Sequence, residues 1–171
     1  MNWRRAGIVL GLVLVLAVGN LAVARFERVI HEGQPLVLAL APVDPRSLMQ
    51  GDYMVLRFEA SAQIDEAVDF VADAADGATA RRPGYALFRA PTPEAPAQWV
   101  GLLDTLGPLQ PGEVAVRLSY GRDGPRFGTD AFFFEEGKGE HFAAARFGEF
   151  RVDAAGTAIL VGLRDGEGRA L

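Results

Sequence analysis

The chain contains no cysteine, only two histidines and a lone lysine, Lys138. The missing cysteines exclude disulfide staples, thiolate metal sites and cysteine nucleophiles together. With His31 and His141 far apart in sequence, no helix carries paired metal histidines, and phosphate-loop and dinucleotide fingerprints are absent as well. A cation site at Glu140-His141 with Glu135 and Glu136 is conceivable. A solvated acidic loop is the simpler account, and no metal or cofactor is expected.

Basic charge is also scarce in the body of the chain. Of the net charge of −5 over 171 residues, residues 1–30 contribute +3 (Arg4, Arg5, Arg25 and Arg28 against Glu27), so the remainder carries −8. An acidic body does not suit a phosphate backbone, so nucleic acid is not an expected partner. Half of the residues are hydrophobic, too many for a disordered chain.

What the sequence does have is one long apolar run. Ala6 to Ala24 has no charge and one polar side chain, Asn20. At about 1.5 Å per residue, a helix of that length spans roughly the ~30 Å hydrocarbon core of a bilayer. Arg4 and Arg5 precede the run, and Trp3 stands where an interfacial ring is expected. A cleavable signal peptide is the rival, because Ala22-Val23-Ala24 fits a small-x-small cleavage site. The run exceeds the usual signal-peptide core, which favours a retained anchor with the N-terminus inside and the body outside. Residues 1–30 are thus expected as stub and anchor, and 31–171 as an extracytoplasmic domain.

Along the body, Pro35 to Ala41 reads as a buried strand and Tyr53 to Ala60 as a half-buried one, with Met54, Leu56, Phe58 and Ala60 on one face. Between them Asp44 can cap a helix, Pro45 suits its first position and Gly51 its end. Ile64, Ala67, Val68, Val71 and Ala75 recur at helical spacing, predicting a helix over 63–75. Strand patterns follow at 85–90, 99–106, 114–120 and 131–134, then a short helix within 138–146. A hairpin closes the chain, with strands at 150–152 and 158–163. The expected fold is mainly β with an α+β leaning: an antiparallel curled sheet or barrel-like domain with two short helices, preceded by one transmembrane helix.

The densest constraint lies at Asp44, Pro45, Arg46, Gly51, Asp52 and Tyr53. Gly51 admits a positive φ where helix turns into strand, Asp52 can bond turn amides, and Arg46 could fork onto Asp44 or Asp52. A structural corner is the plainer reading; a binding site would use the same guanidinium, carboxylate and phenol. Phe132-Phe133-Phe134 puts aromatic rings on both faces of a strand, and cover by protein on both sides is the default expectation.

The block from Pro42 to Leu48, followed by Gly51-Asp52-Tyr53-Met54-Val55-Leu56-Arg57-Phe58, resembles the signature of the GDYXXLXY family. Phe132-Phe133-Phe134-Glu135-Glu136-Gly137 resembles that family's second conserved segment. The resemblance implies a bacterial, membrane-anchored protein of unassigned biochemical role, associated with multi-spanning membrane proteins. It marks Leu56, Phe58, Glu136 and Gly137 beside the corner residues. Phe58 replaces the family's last tyrosine, and Glu135 replaces a proline, removing a ring that would stiffen the following turn. Together these features point to a non-catalytic accessory or interaction module, with a polytopic membrane protein as partner. Ser47 and the strand after it are also similar to membrane-anchored signal peptidases, which would make Lys138 a general base. The lysine lies among acids rather than in an apolar pocket. A small-ligand or cation receptor is the third reading.

Overall fold

The computed structural model describes residues 3–41, 49–50, 53–74, 82–121 and 124–171. Of the expected helix between Asp44 and Gly51, residues 42–48 lie outside the described residues, and Met49–Gln50 are not helical but form a strand.

Helix α1 runs unbroken over Trp3–Glu32, and none of its apolar stretch is buried. Its first buried residue is Val29, against the body. Gly33 follows as the chain turns into β1 (Gln34–Ala39), which pairs antiparallel with β10 (Phe147–Val152). β10 pairs in turn with β11 (Ala158–Arg164). The turn between β10 and β11 is built by Asp153, whose Oδ1 accepts the amide N–H groups of Ala155 and Thr157 at 2.9 and 2.8 Å. Leu36, Val37 and Leu38 are all buried, so β1 is covered on both faces as its continuous apolar run requires.

A second sheet has the order β2 (Met49–Gln50), β3 (Tyr53–Val55), β9 (Ala131–Phe133). A third places β4 (Tyr85–Arg89) between β5 (Gln98–Leu103) and β6 (Glu113–Arg117). A small hairpin joins β7 (Ser119–Gly121) to β8 (Gly124–Arg126). Helix α2 spans Glu59–Ala74, and α3 is a single turn at Gly139–Phe142.

The mainly β, antiparallel architecture is the one expected, but the sheets do not close into a barrel. Isolated bridges, Val37 to Pro96 and Leu40 to Phe58, tie neighbouring sheets together, as does the Arg117 amide donating to the Gly156 carbonyl at 2.8 Å. What unites them is one core: Leu36 and Leu38 from β1, Met54, Leu56 and Phe58, Ile64 and Val68 from α2, Phe88, Val116, Phe150 and Leu163.

Helix α2 starts at Glu59, four residues before the expected 63. Ala60 looked like the end of a strand alternation, yet it stands in an i, i+4 row with the buried Ile64 and Val68. Glu59 in the first turn also suits the positive end of the helix dipole. The strand therefore ends early, with a bridge at Phe58.

Candidate functional site

The two sequence blocks meet in one sheet. β3 and β9 are antiparallel neighbours, with Tyr53 opposite Phe133, Met54 opposite Phe132 and Val55 opposite Ala131. The Leu56 amide extends the ladder to the carbonyl of Asp130 at 2.8 Å. Strand alternation then sorts the side chains. Met54, Leu56 and Phe58 are buried. Phe58 lies against Phe127 and Phe150, with ring centroids 5.6 and 5.3 Å away. An apolar ring fills that place, so this protein has no use there for the family's phenolic hydroxyl.

Phe132 and Phe134 pack inward against Phe142, at 5.0 and 5.3 Å. Phe133 points the other way and is 74% exposed. The expectation of protein cover on both faces of this strand thus holds on one side only. Tyr53 tilts over the Phe133 ring, with centroids 5.6 Å apart.

β9 leads into a turn at Glu135–Lys138, closed by the Lys138 amide donating to the Glu135 carbonyl at 3.1 Å. Gly137 takes φ +83° at its third position, a conformation that a side chain would strain. A solvent-exposed ion pair of 2.6 Å between Glu135 and Lys138 spans the turn. The hydrogen bond and charge from Lys138 hold the Glu135 carboxyl below the usual carboxylate range. The described parts of the two sequence blocks thus form a single structural unit. The chain belongs to the GDYXXLXY family. The family's model matches residues 15–163, from within α1 to the end of β11. Comparison with curated proteins and with solved structures gave no match.

Of the GDYXXLXY residues singled out in the sequence, Tyr53, Leu56, Phe58, Glu136 and Gly137 are placed by this unit. Glu136 is exposed on the turn. Asp44, Pro45, Arg46, Gly51 and Asp52 lie outside the described residues, as does Ser47. Lys138 is described, and its ammonium stands 54% exposed against a carboxylate. That is the opposite of the apolar pocket in which a lysine serves as a base. No group of three or more acidic or histidine side chains converges as a cation site among the described residues.

A feature not anticipated from the sequence is a cavity of about 730 Å³ where α1 meets the body. Arg25, Arg28 and Glu32 of α1 form one wall; Leu106 and Leu109 with the β10–β11 turn at Asp153 form the other. Arg25 and Arg28 come immediately after the apolar run, which is the sequence signal for it. Its second wall comes from residues some eighty and more than a hundred positions later, which local patterning does not connect.

Proposed function

We propose that this protein is a membrane-anchored, extracytoplasmic interaction module, non-catalytic, whose motif sheet docks a multi-spanning membrane protein. α1 is long and apolar enough to span a membrane. In this reading residues 1–30 form the stub and anchor, residues 31–171 the outside domain, and the N-terminus stays inside.

The observation that carries the docking reading is the Tyr53–Phe133 pair. The described residues of the two sequence blocks that define the resemblance go mostly into core and turn, yet they hold one large aromatic ring out in solvent. Burying an exposed Phe ring is worth about 1.5–3 kcal/mol, a sufficient return for a partner surface and an unneeded exposure otherwise. A surface carried by an anchor is confined to partners in or at the same membrane. Photo-crosslinking in intact cells tests this. A benzophenone side chain at Phe133 is expected to trap one discrete membrane-protein adduct, whereas the same probe at exposed Phe70 is not. Identical, diffuse labelling from both positions would reject the docking surface.

A further inference from the structure

We propose that the cavity beside the exit of α1 binds the headgroup of a zwitterionic aminophospholipid, its phosphate on Arg25 and Arg28 and its ammonium on Glu32. The inference rests on the reading that α1 lies in a bilayer.

Arg25, Arg28, Val29 and Glu32 follow i, i+3 and i, i+4 spacing and share one helix face, the face that lines the cavity. At about 1.5 Å per residue, Arg28 lies about 6 Å beyond Ala24 and Glu32 about 12 Å beyond it. The headgroup layer adds roughly 5–8 Å to each side of the hydrocarbon core. Both arginines therefore stand at phosphate depth. Glu32 begins just outside that layer, and its side chain leans back toward the helix N-terminus, hence toward the lipid.

Among the described residues neither arginine has an ion pair or side-chain hydrogen bond, and Arg28 leaves Glu32 unpaired despite their i, i+4 spacing. Two guanidiniums facing one cavity suit a phosphate. At the far end, Glu32 is the last residue of α1, where the helix dipole is negative and a carboxylate is disfavoured. An ammonium there relieves both charges. Asp153, the other carboxylate in the wall, has Oδ1 committed to two turn amides. Cation first and anion second, counted outward from the membrane, is the complement of phosphate then ammonium. Leu106 and Leu109, both exposed, offer apolar contact on the opposite wall.

The test uses the full chain in nanodiscs of equal parts phosphatidylethanolamine, phosphatidylcholine and phosphatidylglycerol, with retained lipids counted by native mass spectrometry. The expected result is about threefold to fivefold preferential retention of phosphatidylethanolamine, the scale of one exposed charge pair. Glu32→Gln should erase the preference over phosphatidylglycerol, and Arg25→Gln with Arg28→Gln should lower retention of all three lipids. Equal retention of all three by the wild type overturns the proposal, as does a preference untouched by Glu32→Gln. Vesicle flotation separates the two levels: protein that floats without a headgroup preference defeats only this inference, and protein that does not float defeats the anchor reading as well.

Discussion

Tyr53 and Phe133 face each other across adjacent antiparallel strands, and their rings tilt together 5.6 Å apart on the outer side of the sheet. One belongs to the first sequence block and the other to the second. The pairing register that aligns them also turns Met54 and Phe132 inward together. A one-residue slip would reverse both faces at once. The inner set fixes the sheet on the core, and the outer set is what that fixing displays.

This division makes opposite predictions for two phenylalanines. Phe133→Ser removes a ring that solvent already covers, so stability should change by no more than about 0.5 kcal/mol. Partner crosslinking from the same sheet should nevertheless be lost. Phe58→Ala empties the space between Phe127 and Phe150 and should cost about 3–5 kcal/mol. Denaturant titration of the full-length protein in detergent separates them. A large loss from Phe133→Ser would mean that the ring supports the fold rather than displaying itself.

Gly33 is the joint between α1 and the body. A Cβ there would collide with the Val29 carbonyl oxygen and sit 3.1 Å from both the Arg151 Cβ and the Val152 amide nitrogen. Gly33→Ala must push the helix end off β10, at a cost of about 1–3 kcal/mol. Hydrogen exchange at Val29–Gln34 and along β10 should rise, while exchange in β4–β6 stays as it was. Uniform change throughout the domain would indicate general destabilisation rather than an opened joint.

Acid should weaken the fold through identifiable carboxylates. The Arg89 side-chain hydrogen bond, then the Gln110 amide, hold Glu113 below the usual range. At Asp165 burial pushes upward, but bonds from the Arg169 amide and guanidinium and the Glu167 amide outweigh it, and the net direction is down. A carboxyl lowered in the folded state contributes stability above its unfolded pKa and loses it as pH falls through the folded one. The decline should therefore set in from about pH 5 downward. Asp65 has the reverse sign: burial first, then Asp69, raise it, and its Oδ1 is buried with no hydrogen-bond partner among the described residues. Melting curves from pH 3 to 7 should show a shallower acid limb for Glu113→Gln and a higher midpoint at pH 7 for Asp65→Asn. A Glu113→Gln curve parallel to wild type would remove Glu113 from the account.

Sequence legibility followed how local each determinant was. The apolar run, the strand at Leu36–Leu38 and the terminal hairpin around Asp153 and Gly156 were all readable, because their causes lie within a few residues. The start of α2 was misplaced, since Ala60 fits period two and period 3.6 equally well. Whether the sheets closed into a barrel depended on partner choices such as β3 with β9, which no local pattern encodes. The same holds for Phe133, because which face of a strand meets solvent is decided by what packs behind it. In the candidate site, the corner residues drew attention through density of unusual types, whereas Arg25 and Arg28 registered only as charges until Leu106 and Asp153 folded beside them.

The unbroken run of α1 into its packed seat on β10 has a mechanical corollary. With no flexible tether between the bilayer-length segment and the folded part, any tilt or rotation of the former is transmitted as a lever to the latter. If α1 spans a bilayer as proposed, the solvent-facing phenylalanine would then be presented at a set height and compass bearing, and a neighbour in the same membrane would meet it in one pose instead of searching for it.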